Sequence, residues 1–490
     1  MEVARHRTAL FRSDLSRPVR LAIADGVLAA GSSVLDYGCG RGGDVRRLLD
    51  AGYDCSGWDP VHLPEGNRRP AAVVNLGYVV NVIEDPGERV ETLRRAWSLA
   101  EQVLVVAGRL VDERPVRAGP DHADGVMTRL GTFQKFFEQH ELRTWIDGCL
   151  DVHSVAAAPG VFYVFRSPEA RSRFAAARFR RQAAAPRLRL SDRLAAEHRD
   201  LLDSLSAFLL QRGRPPEAGE LSEEGRIVDA LGSMRRAHRL LMTVSDAGAW
   251  DAVRHGRSED LLLYLALARF EGRPRMGELP SDIQGDVRAF FGSYAAACRR
   301  ADDLLFALGR QDVLNEATRV APFGKLLPTA LYVHVAAMGG QPLTLRLYEG
   351  CARAILGAVD GATIVKLRRD EPKVSYLCYP GFDRDAHPEL TESVSVHLQT
   401  FRMRTRRYME SGNPPLLHRK EAFLPEGHPL RSRFAKLTAT EERAGLLDET
   451  ASIGTRVGWG QALDTAGYEV RGHRLVRKAP QVASGSSDPL

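Results

Sequence analysis

The stretch "SVLDYGCGRGGDVRRLLDAG", residues 33–52, constrains the fold of this chain more than any other segment. A short apolar run ends in an acidic residue, and glycines then occupy positions 38, 40, 42 and 43. Glycine permits positive φ angles and lets another group approach the backbone closely. The run predicts a buried strand, a glycine loop at its tip, and a helix whose first amide groups face a ligand.

Strands and helices alternate after this loop. "YDCSGWDP", "AAVVNLGYVVNVI" and "EQVLVVAGRL" predict strands, "EDPGERVETLRRAWSLA" predicts a helix, and "GVFYVFRS" predicts a late strand. Such alternation indicates a parallel, doubly wound sheet. The predicted fold class is therefore α/β, with a Rossmann-like domain over residues 1–167.

The acidic residue before the first glycine separates this loop from a dinucleotide-binding loop. A G-x-G-x-x-G loop holds pyrophosphate, whereas Asp36 would repel phosphate and suits a ligand that carries an ammonium group. "LDYGCGRGGD" resembles the first motif of class I S-adenosylmethionine-dependent methyltransferases. That resemblance implies S-adenosylmethionine as cofactor, with a binding set of Asp36, Gly38, Gly40, Trp58 and Asp59. Asp36 would lie near the methionine end, often through water, and Asp59 would accept both ribose hydroxyls. Trp58 or Pro60 could sit beside the adenine.

The predicted reacting side follows the next strand, in "NLGYVVNVIEDPGER". Asn75 and Tyr78 are the predicted catalytic residues, with Asn75 facing the methyl group. DNA amino-methyltransferases carry D/N-P-P-Y/F/W at this place, and this chain has Asn-Leu-Gly-Tyr without the prolines. The atom that accepts the methyl group therefore stays open.

Motifs along most of the chain resemble one family. "RHRTALFRSDLSRPVRLAIADGVL", "YLCYPGFDRDAHPEL", "NPPLLHRKEAFL" and "IGTRVGWGQAL", together with the motifs above, resemble the DNA phosphorothioation-associated methyltransferase family. The resemblance implies a bacterial protein, with DNA as a partner and proteins of a phosphorothioation system as further partners. It does not fix the substrate.

Residues 168–321 are predicted to form an arginine-rich helical region. "FLLQRGRPPEAGEL" at 208–221 is similar to "LARFEGRPRMGELP" at 267–280, which predicts two copies of a unit of about 60 residues.

Nine arginines lie between positions 171 and 199. Clustered arginine suits phosphate contact, and a solvated helical linker is the alternative. The predicted nucleic-acid contacts are Arg178, Arg180, Arg181, Arg187 and Arg189.

Residues 322–478 are predicted to form an α+β C-terminal domain, followed by a disordered tail at 479–490. Asp383, Asp385 and His387 alternate in this domain and would share one face of an extended segment. Such a set could hold a divalent ion in a nuclease, and a polar turn framed by glycine and proline is the alternative. We expect the turn, and hence no metal site.

Composition sets the remaining expectations. The chain has a net charge of +6 and six cysteines without a C-x-x-C pair. This pattern disfavours a zinc site or a disulfide framework and fits a reducing cytoplasm. No apolar run is long enough to span a membrane, and the first residues lack the apolar core of a signal peptide. We expect a cytoplasmic protein without a membrane partner.

The favoured function is methyl transfer to DNA or to a component of a DNA-modification system. Two alternatives stay open. The first is a catalytically silent S-adenosylmethionine-binding accessory protein, which the missing proline motif favours. The second is a metal-dependent nuclease or restriction effector that uses Asp383, Asp385 and His387.

Overall fold

A computed structural model describes residues 3, 5–9, 14–115, 119–181, 197–245, 247–448, 450 and 452–478. Arg187, Arg189 and the predicted tail lie outside these residues. The chain divides into two compact units. The first holds residues 1–314, 342–358 and 400–402, and the second holds residues 315–341, 359–399 and 403–490.

A six-stranded sheet forms the centre of the first unit. Its strands are β1 (Ser33–Tyr37), β2 (Asp54–Trp58), β3 (Ala71–Gly77), β4 (Ala100–Ala107), β8 (Val155–Ala158) and β9 (Val161–Phe165), in the order β2-β1-β3-β4-β9-β8. The first four strands are parallel, and β8 and β9 pair antiparallel at one edge. The predicted Rossmann-like doubly wound sheet is confirmed. Because the chain leaves β1 for β2 and then crosses to β3 on the other side, the strand order reverses at β1, where such sheets bind ligands.

Helices α1 (Arg17–Ala24), α2 (Gly43–Asp50), α3 (Pro86–Leu99) and α4 (Gln139–Leu150) alternate with these strands. The start of α3 follows from its sequence, because Asp85 accepts a hydrogen bond from the Glu88 amide at 2.6 Å and Pro86 occupies the first turn. Helix α1 covers one face of the sheet. Its Val19 and Ala22 pack with Val34 and Val73, and all four are at most 2% exposed.

A small antiparallel sheet between β4 and α4 was not predicted. It consists of β5 (Asp121–His122), β6 (Gly125–Met127) and β7 (Phe133–Gln134). Arg89 of α3 attaches it, since its guanidinium is 3% exposed and donates to Asp124 at 2.7 and 3.1 Å. Four residues lie between the end of β7 at Gln134 and the start of α4 at Gln139.

The rest of the first unit is helical. Its helices are α5 (Pro168–Arg178), α6 (Arg199–Arg212), α7 (Glu224–Leu231), α8 (Met234–Val244), α9 (Ala247–Leu267), α10 (Ser281–Phe291), α11 (Tyr294–Ala307), α12 (Gln311–Arg319) and α13 (Leu343–Leu356). One junction occurs twice: α7 ends at Gly232 and Ser233 caps α8, while α10 ends at Gly292 and Ser293 caps α11. The repeat of about 60 residues stays a prediction.

Helix α13 groups with the first unit, although the sequence places it in the predicted C-terminal domain of residues 322–478. Buried polar contacts explain this position. Arg346 donates to Asp260 Oδ1 at 2.8 Å, and Gln139 Nε2 donates to the Ile355 carbonyl at 3.0 Å. These partners lie far apart in sequence, so local patterns do not reveal them.

An antiparallel sheet forms the centre of the second unit. Its strands are β10 (Lys325–Leu327), β11 (Ala330–His334), β12 (Ile364–Arg368), β13 (Lys373–Cys378), β14 (Glu392–His397) and β15 (Met403–Arg407), paired in chain order. Helices α14 (Arg431–Arg443) and α15 (Arg456–Ala466) and the hairpin β16 (Tyr468–Arg471) and β17 (Arg474–Arg477) follow. Short 3-10 helices span Arg5–Thr8, Val111–Glu113, Ala268–Glu271, Met276–Glu278, Val335–Gly340 and Lys420–Phe423.

None of the helices in the described ranges combines the length and apolar character that a membrane span needs.

Candidate functional site

The glycine loop leaves the tip of β1 and turns directly into α2. Gly38, Gly40 and Gly42 have φ values of +87°, +53° and +69°, which glycine adopts with little strain. A Cβ atom at Gly38 would lie 2.4 Å from Val79 Cγ2. The Gly38 and Cys39 amides donate to the Trp58 carbonyl at 2.7 and 3.1 Å, so the loop is fixed to the end of β2.

Asp59 follows β2 and connects this strand tip to the loop. Its Oδ2 accepts a hydrogen bond from the Gly40 amide at 3.1 Å, and its Oδ1 accepts from the Val61 and His62 amides at 3.0 and 2.8 Å. An ionised carboxylate offers about four acceptor positions. Oδ2 therefore keeps the capacity to accept a hydrogen bond from a ligand hydroxyl.

The tips of β1, β2 and β3 border one cleft of about 260 Å³, which we call the glycine-loop cleft. The structure brings together five predicted site residues here, namely Gly38, Gly40, Trp58, Asp59 and Tyr78. Trp58 packs beside Tyr37 with ring centroids 4.9 Å apart. Its indole Nε1 donates to the Pro64 carbonyl at 3.2 Å. An aromatic side chain next to a carboxylate can receive an adenine ring beside its ribose.

Asp36 and Asn75 do not line this cleft. They are 5% and 4% exposed, and Asn75 Nδ2 donates to Asp36 Oδ1 at 2.8 Å. Side chains alternate across a strand, so Asp36 shares the face of Val34, and Asn75 shares the face of Val73, under α1. The predicted roles of Asp36 at the methionine end and of Asn75 at the reacting methyl group stay predictions.

Tyr78 has an unusual backbone. Its φ of +62° lies in the left-handed region, which a residue with a bulky side chain rarely adopts. The Tyr78 amide donates to the Ala107 carbonyl at 2.9 Å, which fixes this conformation at the end of β3. Strained residues cluster at functional sites. Of the two predicted catalytic residues, Asn75 and Tyr78, only Tyr78 lines the glycine-loop cleft.

A second cavity of about 360 Å³ is also lined by Tyr78. Thr8, Tyr78 and Val82 line both the glycine-loop cleft and this second cavity. The unpredicted small sheet contributes Val126 and Gln134 to its wall. Sequence reasoning missed this cavity because the short strands β5, β6 and β7 carry no clear periodic pattern.

Asn81 is a polar residue of the second cavity that sequence reasoning also missed. It is 1% exposed, and its Nδ2 donates to Gln134 Oε1 at 3.0 Å. Its Oδ1 is buried and, among the described residues, accepts no hydrogen bond. A buried carbonyl oxygen without a donor is costly, so Asn81 offers a position for a donor group of a ligand.

The segment 5–9 borders the glycine-loop cleft. Arg5 donates to Glu84 at 2.8 Å and to Glu88 at 2.6 and 2.7 Å. Ala9 lies beside the loop, since its Cβ would be 3.1 Å from a Cβ at Gly40. The motif "RHRTA" therefore contributes side chains to the cleft.

Cys39 also lines this cleft. Burial raises its pKa to about 12, and the charges of Asp36 and Asp59 act in the same direction. Because the thiolate is the reactive form of cysteine, this shift favours the less reactive thiol form of Cys39.

The predicted nucleic-acid residues occupy different environments. Arg178 donates to the carbonyls of Ala156 and Ala157 at 2.8 and 3.3 Å. Arg181 donates to Asp260 at 2.9 Å and Glu259 at 2.6 Å. These internal contacts give both residues a structural role, whereas the Arg180 side chain is exposed. Nucleic-acid contact by these arginines stays a prediction.

The polar motif of the second unit forms a turn. Residues 380–384 lie in a turn, the Asp385 amide donates to the Gly381 carbonyl at 2.8 Å, and Asp383 and Asp385 are exposed. These two carboxylates do not join His387 in a group of metal donors within the described residues. The extended face required by the nuclease alternative is therefore not observed.

Comparisons with known proteins give distant likenesses. No protein-family model matches the chain, and no curated protein matches it either. Among solved structures, the chain is similar to 1,6-didemethyltoxoflavin-N1-methyltransferase of Burkholderia thailandensis, which has S-adenosylhomocysteine bound. The two sequences are 15% identical, the match covers 34% of this chain and 79% of that chain, and the TM-score is 0.23. Magnesium protoporphyrin IX methyltransferase of Synechocystis, with the same ligand, is 13% identical, with 33% and 93% covered and a TM-score of 0.22.

Such low TM-scores decide nothing about this chain, and none of these likenesses links it to a DNA phosphorothioation family.

Proposed function

We propose that the first unit binds S-adenosylmethionine in the glycine-loop cleft and is a methyltransferase. The observation that carries this proposal is the convergence of Gly38, Gly40, Trp58 and Asp59 on one cleft at the strand-order reversal. The cleft fits the cofactor, because it offers side-chain-free backbone, an aromatic ring and a carboxylate with remaining acceptor capacity.

Each residue of the glycine-loop cleft would contact a different part of S-adenosylmethionine. Asp59 Oδ2 accepts a ribose hydroxyl, and Trp58 borders the adenine. Gly38 and Gly40 leave room for the chain that joins the ribose to the methionine end. Asp36 and Asn75 would support the position of the glycine loop, because their buried hydrogen bond connects β1 with β3.

S-adenosylmethionine supplies an electrophilic methyl group on a sulfonium centre. The protein then has mainly to align an acceptor with that group and exclude competing water. We propose that the acceptor enters through the second cavity and meets the cleft at Tyr78, which lines both. Asn81 Oδ1 would accept a hydrogen bond from the acceptor and orient it, and this oxygen favours an acceptor with an N–H or O–H group.

DNA, or a component of a DNA-modification system, is the proposed acceptor. The family resemblance and the arginine-rich stretch around Arg180 support this choice, and the net charge of +6 agrees with it. An accessory protein that binds the cofactor without transferring its methyl group is the second candidate, which the missing prolines after Asn75 favour.

Transfer of label tests the proposal. The full chain is incubated with S-adenosylmethionine labelled in the methyl group and with plain or phosphorothioated duplex DNA. We expect label in DNA and loss of transfer in Asn81→Leu, with cofactor binding retained, because Asn81 lies on the acceptor side. Asn67→Leu, at an exposed loop position, is the matched control.

Cofactor binding without label in either DNA would contradict methyl transfer to DNA and support the accessory role. Absence of cofactor binding would contradict both.

A further inference from the structure

Three side chains of the second unit converge far from one another in sequence. His387 lies in the segment between β13 and β14, His418 lies just before the 3-10 helix Lys420–Phe423, and Glu441 lies on α14. One donor atom from each of the three lies within 4.8 Å of the other two. We call these residues the His–Glu group.

Within the His–Glu group, Glu441 is buried, and His387 and His418 are half-buried. The side chains of His387 and Glu441 are 7% and 1% exposed, and His387 Nε2 lies 2.8 Å from Glu441 Oε1. Burial of a carboxylate is costly unless the charge is paired or binds a metal ion. The contact with His387 covers only part of this need, because it is not aligned as a hydrogen bond and Glu441 Oε1 has no hydrogen-bond partner among the described residues.

His418 carries a second unused donor atom. Its Nε2 lies 2.9 Å from the Ile453 carbonyl, and this contact places the ring proton on Nε2. Nδ1 then keeps its lone pair. It is buried and has no hydrogen-bond partner among the described residues. A metal-binding histidine characteristically donates its other ring N–H to a backbone carbonyl in this way.

Trp459 holds the two imidazole rings in place. Its ring centroid is 4.6 Å from that of His387 and 4.7 Å from that of His418. His387 and Trp459 also line a cleft of about 530 Å³ with Asp385 and Arg456. His387 therefore connects the His–Glu group with this cleft.

We propose that His387, His418 and Glu441 bind a divalent first-row transition metal ion such as zinc. Two imidazole nitrogens and one carboxylate oxygen are a zinc donor set that leaves a fourth position for water or another ligand. Zinc ligands at about 2.0–2.1 Å from the ion lie about 3.3 Å from one another. Small side-chain rotations bring donors that now lie within 4.8 Å to this spacing.

This site replaces the expectation that the chain has no metal site. It shares His387 with the motif singled out from the sequence, but its other ligands come from "LLHRKEAF" and from α14 instead of from Asp383 and Asp385. The His–Glu group contains no cysteine, so cysteine spacing could not reveal it.

Metal titration tests the site. The full chain is stripped with a chelator and titrated with Zn²⁺ by calorimetry and with Co²⁺ by visible absorption. We expect one ion per chain at the His–Glu group. In His418→Ala and Glu441→Gln we expect affinity to fall by more than the roughly 10–100-fold that loss of an outer partner causes. His397→Ala, on β14 of the same unit, is the control and keeps the site.

Thermal unfolding is measured with and without Zn²⁺, so that loss of metal binding can be told apart from a loss of stability in a variant. Zinc raises the midpoint of the wild type and of His397→Ala, because a ligand that binds only the folded state stabilises it. Folded wild type without stoichiometric Zn²⁺ binding, or equal binding by wild type and Glu441→Gln, would overturn the proposal. A sulfur-to-cobalt charge-transfer band would also overturn it, because the His–Glu group has no sulfur ligand.

Discussion

Tyr78 holds a left-handed backbone conformation where the glycine-loop cleft meets the second cavity. A side chain there costs about 1–2 kcal/mol in backbone strain. The surrounding structure supports it through the hydrogen bond to the Ala107 carbonyl. At the scale of single residues, the strain at Tyr78 and the unpartnered Asn81 oxygen therefore point to the same place, the boundary between cofactor and acceptor.

Gly38→Ala is predicted to weaken S-adenosylmethionine binding and to lower the free energy of unfolding. The new Cβ would meet Val79 Cγ2 at 2.4 Å and would sit at a φ of +87°. Gly52→Ala is the matched control, because its φ is +85° and a Cβ there has no atom within 4 Å. Denaturant unfolding and cofactor titration measure both variants.

The two alanine variants share the backbone strain of about 1–2 kcal/mol, and only Gly38→Ala adds a clash beside the cleft. Equal stability of the two variants, with cofactor affinity unchanged in both, would contradict the close approach of the loop and Val79.

At the scale of elements, the part of the site nearest the glycine motif could be predicted from sequence. Strand β1, its glycine loop and the capped start of α3 at Asp85 follow from local chemistry. The direction of Asn75 could not be predicted, because it depends on which face of β3 is covered by α1. The small sheet could not be predicted either, since its strands are two or three residues long and Arg89 holds them through a distant partner.

The attachment of the small sheet gives a prediction about pH. Hydrogen bonds from Arg89, and secondarily from Lys135, lower the pKa of Asp124 from 3.8 to about 2. Because the folded-state pKa is the lower one, this contribution to stability is complete above about pH 4 and is lost as the pH falls to about 2. We expect Asp124→Asn to be less stable than the wild type at neutral pH and the difference to shrink over that range.

Urea unfolding at a series of pH values measures this difference. Asp121→Asn, at a more exposed position of the same small sheet, is the control and should leave stability nearly unchanged, as exposed pairs contribute little. A difference between wild type and Asp124→Asn that does not vary between pH 4 and 2 would contradict the assignment.

At the scale of the whole molecule, the two units carry separate proposals. The first unit offers the cleft for S-adenosylmethionine, and the second offers the His–Glu group for a metal ion. The sequence indicated the first site because its residues lie within one strand–loop–helix motif and the next strand tip. It did not indicate the second, because the three donors come from separate segments that only the folded chain brings together.

Calorimetric titration of the full chain with S-adenosylmethionine tests the central claim most directly. We predict one molecule bound per chain and an affinity about 10–100-fold lower in Asp59→Asn, because a hydrogen bond to a charged group contributes about 1.5–3 kcal/mol. Asp54→Asn, at the exposed opposite end of β2, should bind like the wild type. No binding by the wild type, or equal affinity in wild type and Asp59→Asn, would contradict the account.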